Sequence, residues 1–186
     1  MKIVGTLAAC LFLLATFGFF SSAHLTGHHY YREFDEAVVM MSGPSRNVVG
    51  FLALTQKQYG VKLVGWLMGL TPGKHGFHVH TSGDVTSDGC NSTGSHYNPR
   101  NAPHGGPWSA INQRHVGDLG NVVANEQGIA LVNIFDRVIS LTGPESINGR
   151  AIVVHAKEDD LTPNTNPGPR LACGTILKIT KTIRTY

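Results

Sequence analysis

The chain has 186 residues, 41% of them hydrophobic and 15% charged, and a formal net charge of +3. That is one ordinary domain's length with enough apolar content for a core, which excludes a disordered polyelectrolyte. A charge so near balance, with Lys178, Lys181 and Arg184 spaced out rather than run together, also excludes a dense basic tract for nucleic acid or heparin.

At the N-terminus Lys2 precedes an apolar run from Ile3 to Phe20, and Ser21-Ser22-Ala23 offers small residues for cleavage. These features predict a secretory signal peptide over residues 1–23. The run is nearly long enough to remain in a bilayer as an anchor. The small-residue site argues for cleavage instead, and so for no membrane attachment afterwards. A flexible polar leader over 24–36, with His24, His28 and His29, then precedes one folded domain over 37–186.

No stretch of that domain reads as a long amphipathic helix; the apolar residues fall in short runs separated by Gly, Pro, Asn and Asp. The predicted strands, in chain order, are 37–41, 48–56, 61–70, 76–81, 121–124, 129–136, 151–155 and 174–180. Turn residues such as Ser42-Gly43-Pro44, Thr71-Pro72-Gly73 and Asn125-Glu126-Gln127-Gly128 join several of them. The class is all-β, a sandwich or barrel. Two long connections, Ser82 to Leu119 and Glu158 to Ala172, have no periodicity and are expected to be functional loops.

Cys10 leaves with the signal peptide, so Cys90 and Cys173 are the two cysteines of the mature chain. Outside the cell they are expected to pair, and closing so long a loop disfavours the unfolded chain by about 4 kcal/mol. Asn91-Ser92-Thr93 is an N-glycosylation sequon, with Cys90 alongside limiting access to it.

The chemistry concentrates in histidines. His78-Val79-His80 places two imidazoles on one face of a strand, where side chains repeat every second residue. His96, His104 and His115 follow in the first long loop, with Asp118 just beyond, and His155 ends a later strand. On pattern alone, a His-x-His pair with a distant strand histidine suits a cupin, a mononuclear oxidase or a copper protein. His75 has the opposite strand parity to His78 and is expected to brace a loop.

The run from His75 to His80, then Gly94-Ser95-His96-Tyr97-Asn98-Pro99, His104-Gly105-Gly106-Pro107 and His115-Val116-Gly117-Asp118-Leu119-Gly120-Asn121, resembles the copper/zinc superoxide dismutases. So do Gly149-Arg150, Val153-Val154-His155 with Asp159-Asp160-Leu161, and Arg170-Leu171-Ala172-Cys173-Gly174. The resemblance covers residues 37–180 and implies an eight-stranded Greek-key β-barrel. It implies copper on His78, His80, His96 and His155, zinc on His96, His104, His115 and Asp118, and His96 as the bridge. It further makes Arg170 the residue that holds the anionic substrate superoxide, and Asp159 a carboxylate joining His78 and His104. A four-imidazole set suits Cu(II), and three imidazoles with a carboxylate suit zinc. A non-catalytic copper- and zinc-binding module of the same fold is the alternative.

Three departures from the family pattern carry expectations. The segment from Asp160 to Arg170 is short and uncharged between its ends, which predicts an open copper side steered mainly by Arg170. Two extra residues between His104 and His115, around Trp108, are expected to cover part of that exposed surface. Ser82, Asn148 and Lys178 stand where the usual dimer face is apolar, which favours a monomer or a dimer through another face.

Overall fold

The structure, a computed structural model, describes residues 35–179 apart from 45 and 46. The predicted signal peptide, its cleavage point, nearly all of the leader and the last seven residues lie outside the described residues. Alternation of apolar and polar positions produces the first three strands. β1 (Glu36–Ser42) turns Ala37, Val39 and Met41 inward, β2 (Val49–Lys57) Leu52 and Leu54, and β3 (Gly60–Met68) Val61, Leu63 and Leu67. β4 (Gly73–His80), β5 (Asp118–Ala124), β6 (Ile129–Asp136), β7 (Ala151–His155), β8 (Arg170–Thr175) and β9 (Leu177–Ile179) complete the set, with one 3-10 turn at Asn91–Thr93.

Every strand pairing is antiparallel, and the order β2-β3-β6-β5-β4-β7-β8-β1 closes on itself because β1 also pairs with β2 along its length. The chain passes from β3 to β4 and from β6 to β7 without pairing them, which is Greek-key connectivity. Closure removes the exposed edges that an open sheet would offer to other chains.

The final strand differs from the expected 174–180. It comes in two pieces because Ile176 turns its side chain into the core and exchanges backbone hydrogen bonds with Gly149 and Arg150 instead of β1. β9 then resumes the pairing, Ala37 against Lys178. β5 starts at Asp118 and β8 at Arg170, so both long loops are shorter than expected and residues important to the site sit on strands. The connection between β6 and β7 was not foreseen as a structural element. It plugs the barrel with buried Ile139, Leu141 and Ile147.

β4 and β7 position the site. Phe77, Val79, Ile152 and Val154 fill the core, so the opposite parity sends His78, His80 and His155 outward beneath the two loops. Val153 packs against the Cys90–Cys173 disulfide, whose Cα atoms are 5.6 Å apart. Register shifts between Gly76 and His78 and between Val154 and His155 re-aim these strand ends, a common use of bulges beside sites.

Candidate metal centre

Six histidines and two aspartates converge on the outer side of β4, β5 and β7. His78, His80, His96 and His155 offer ligand atoms all within 4.8 Å of one another, and so do His96, His104, His115 and Asp118. His96 belongs to both groups, its ring stacked on His78 with centroids 3.9 Å apart. The structure therefore brings together the six histidines and Asp118 that the sequence grouped, with Asp159 beside His78 and His104.

Hydrogen bonds settle which ring nitrogens are free. His80 Nδ1 lies 2.8 Å from the Gly94 carbonyl and His155 Nδ1 3.0 Å from that of Gly168. A carbonyl only accepts, so both Nδ1 atoms carry the proton, and in the neutral rings both Nε2 atoms are lone pairs. Those two lone pairs face each other at 3.3 Å, where neither can donate. His78 Nε2 donates to Asp159 Oδ2 at 2.6 Å, which leaves its buried Nδ1 with no partner. Three imidazole lone pairs directed at one point with no proton between them fit a cation.

The second group is an oxygen-centred cage. Asp118 Oδ1 lies 3.0 Å from His96 Nδ1, 3.0 Å from His104 Nδ1 and 3.1 Å from His115 Nδ1. Asp118 Oδ2 is held apart from these by the backbone N–H groups of Gly105 at 3.1 Å and His115 at 2.8 Å. His104 Nδ1 is near Asp118 but out of line for a hydrogen bond, so it too is a buried nitrogen without a partner. Three nitrogens and one carboxylate oxygen suit a tetrahedral zinc ion.

Asp159 joins the two groups. Its carboxylate accepts from His78 Nε2, from His104 Nε2 at 2.9 and 3.0 Å, and from the Leu161 N–H at 2.8 Å, and it is almost wholly buried. Sequence reasoning quoted Asn121 only as part of a motif. Its side chain clamps the Asp159 backbone at both ends, accepting from the N–H and donating to the carbonyl, each at 2.8 Å.

Burial sets the charge states. It pushes His78 down to about 3, His80 to about 2 and His155 to about 4, against the weaker opposing pull of Asp159 on His78 and of carbonyl hydrogen bonds on the other two. Burial acts the same way on His104, but its contacts with Asp118 and Asp159 outweigh that and raise it to about 9. Both carboxyls sit well below the usual range: burial opposes ionisation, and the hydrogen bonds from the surrounding histidines overcome it.

Arg170 borders the same cleft, of about 460 Å³, as His80, His96 and His155. Its Nη1 donates to Cys90 O at 2.7 Å, Asn91 O at 3.1 Å and Thr93 Oγ1 at 2.9 Å, and Nη2 to Gly94 O at 2.6 Å. The guanidinium is thus fixed to the disulfide segment rather than to a surface carboxylate. The rest of that wall is Asn166, Pro167 and Gly168, with no charge. Trp108, expected to cover part of the exposed surface, does not line the cleft and is 79% exposed; its loop is drawn instead toward Leu161. His75 turns away from both groups, its nitrogens 2.8 Å from the carbonyls of Thr71 and His155.

Sequence reasoning missed Arg114 and Asp136. They form a buried ion pair at 2.7 Å, and Arg114 also donates to the carbonyls of Pro107 and His115, pinning the loop that carries His104 and His115 to the end of β6. A lone arginine before a histidine gives no pattern from which this pairing could be read.

A sequence model of the copper/zinc superoxide dismutases matches residues 48–176. The chain is 48% identical over 150 residues to "Superoxide dismutase [Cu-Zn] 2" of Mesembryanthemum crystallinum, covering 76% of this chain and 94% of the plant protein. It is 42% identical over 151 residues to "Extracellular superoxide dismutase [Cu-Zn]" of Brugia pahangi, covering 75% of this chain and 74% of that one.

Proposed function

The chain belongs to the copper/zinc superoxide dismutase family, and we propose that it is a secreted enzyme that turns two superoxides and two protons into oxygen and hydrogen peroxide. Copper and zinc are its cofactors. His78 through Nδ1, His80 and His155 through Nε2, and His96 hold copper; His96, His104 and His115 through Nδ1, with Asp118, hold zinc. The facing Nε2 lone pairs of His80 and His155, beside the unpartnered His78 Nδ1, carry this assignment.

Bound copper supplies one-electron redox chemistry, while zinc, which has none, adds the charge that favours loss of the second ring proton of His96. His96 Nε2 takes up a proton in one half of the cycle and returns it toward peroxide in the other. Arg170, always cationic, holds the incoming anion at the cleft. Asp159 keeps the proton of His78 on Nε2, so that its Nδ1 stays available, and it also accepts from His104 Nε2, whose Nδ1 would give up its proton to a bound cation.

Secretion rests on cleavage of residues 1–23, on the Cys90–Cys173 disulfide and on the extracellular relative. Asn91 is exposed and available to carry a glycan, which a mass measurement on secreted protein checks. The usual dimer face is disfavoured because its polar residues are engaged. Lys178 pairs with Asp35, Asn148 donates to Leu141 O, and Ser82 Oγ accepts from the Asp84 N–H.

The test is superoxide turnover by pulse radiolysis on mature protein shown by elemental analysis to hold one copper and one zinc. Fast turnover is expected. Uptake of both metals with negligible turnover would replace the enzyme by a metal-binding module, the reading favoured by the uncharged wall at Asn166, Pro167 and Gly168.

A further inference from the structure

An imidazole that belongs to two metal groups has no nitrogen to spare for an outside partner. His78, His80 and His155 each spend one ring nitrogen on an acceptor beyond the two groups, namely Asp159 Oδ2, Gly94 O and Gly168 O. His96 does not: its Nδ1 lies against Asp118, a member of the second group, and its Nε2 is left for the first. Among the described residues its ring is held by no outside hydrogen bond, so its direction has to come from the chain that carries it.

That stretch of chain is paired with the end of β4, His96 opposite His80. The Tyr97 N–H donates to Val79 O at 2.8 Å and the Thr81 N–H to Ser95 O at 2.9 Å, which ties both neighbours of His96 to both neighbours of His80. Arg150 closes the pair from outside. Its Nη1 donates to Thr81 O at 2.7 Å, its Nε donates to Ser146 O at 3.2 Å, and its Cζ rests 3.6 Å from the centre of the Tyr97 ring. The Arg150 backbone is itself fixed to buried residues, donating to Ile147 O at 3.1 Å and accepting from the Ile176 N–H at 2.8 Å.

We propose that Arg150 is a positioning residue for His96: by gripping Thr81 and Tyr97 together it sets the angle at which the shared ring meets the two metals. The proposal rests on both metals sharing His96. That angle decides whether Nδ1 and Nε2 can serve the two groups at once. The partners of Arg150 are two carbonyls and a ring, all neutral, so the contact is not a surface ion pair. Tyr97 is 4% exposed, and a cation against a buried aromatic face is held more firmly than one at an open site. A planar guanidinium can lay its face on the ring while its N–H groups donate sideways to two carbonyls; the single ammonium of a lysine cannot do all three.

Cobalt(II) in place of zinc gives a reading of the shared ring that does not depend on turnover. Two paramagnetic ions joined by one imidazolate couple magnetically, which suppresses the EPR signal of the copper. The mature protein is loaded with copper and cobalt, one of each by elemental analysis. The parent is expected to show a suppressed copper signal and Arg150→Met to regain it with both metals still bound. Chelator competition is expected to find copper affinity about tenfold weaker in Arg150→Met. Arg150→Lys, which keeps the charge, is expected to lie between the two and stands in should Arg150→Met fail to fold. A merely stabilising side chain would lower the thermal midpoint without separating the two ions magnetically. Suppression as complete in both variants as in the parent overturns the proposal and leaves the metal assignment standing. A full copper signal in the parent shows that His96 is not shared, and overturns the assignment together with the proposal.

Discussion

Asp159→Asn keeps the volume of the side chain but not its capacity to accept. The carboxylate takes two imidazole N–H donors and the Leu161 N–H, at 2.6 to 3.0 Å. A carboxamide has one acceptor oxygen and puts an NH₂ donor where the other stood: at the Oδ1 position it faces the Leu161 N–H and crowds His104 Nε2, and at the Oδ2 position it leaves His78 Nε2 without a partner. That ring gains by moving its proton to Nδ1, the atom proposed to face the metal. A hydrogen bond involving a charged group contributes about 1.5–3 kcal/mol. Losing such support around a ligand weakens metal affinity about 10- to 100-fold. Chelator competition is expected to show a loss of that size for copper, zinc or both. In the metal-free protein an NMR titration should find His104 below its raised value of about 9, since Asp159 helps to raise it. Affinity for both metals within threefold of the parent, with His104 unmoved, would refute the argument.

Metal-free protein is expected to be most stable at about pH 7. His78, His80 and His155 titrate lower in the folded chain than in the unfolded one, so below about pH 6.5 the unfolded chain binds more protons. At pH 5 each such histidine costs about 2 kcal/mol. His104 acts oppositely: its contribution is complete below about pH 6.5 and is lost as pH rises toward 9. Urea unfolding at pH 5, 6.5 and 9 checks both arms, and equal stability at pH 5 and 6.5 would sink the first. Arg114→Met strands the buried Asp136 carboxylate and should lower stability by about 3–5 kcal/mol in the same assay, with a change below 1 kcal/mol counting against it. Because Arg170 is, among the described residues, the one arginine, lysine or carboxylate lining the cleft, catalytic rate should fall only gently with added salt, and a steep decline would contradict this.

The strands and the shared face of His78 and His80 were legible because each has a local signature, whereas the wider grouping of histidines with Asp118 was expected only from the resemblance to the family. Period-two alternation marks β1 to β3, and His-x-His on a strand fixes that His78 and His80 share a face while Phe77 and Val79 go inside. What joins remote segments was not legible from local pattern. Arg114 meets Asp136 and Asn121 meets Asp159 only because the Greek-key order lays those segments together. The break at Ile176 depends likewise on Gly149 and Arg150, a contact invisible to the periodicity of the last strand. Trp108 misled for the same reason: an aromatic residue in a loop near the site looks like a cover, and loop direction decides otherwise.

Those remote contacts explain how loops with few buried apolar residues orient the clustered imidazoles. Hydrophobic burial is non-directional, so it places β4 and β7 but cannot orient an imidazole ring. Orientation comes from directional bonds fixed to the barrel: Gly94 O and Gly168 O select the tautomers of His80 and His155, and Asp159 selects those of His78 and His104. Gly94 O is itself gripped by Arg170, which also holds the carbonyl of disulfide-bonded Cys90. The residue proposed to bind the anion therefore also braces the carbonyl that supports His80, a proposed copper ligand. Replacing Arg170 would disturb two things at once, and turnover alone could not separate them. Arg170→Lys keeps the charge but cannot reproduce four planar donor contacts. If positioning matters, copper affinity should fall in Arg170→Lys although the charge is intact. Unchanged copper affinity with reduced turnover would assign the residue to anion binding alone.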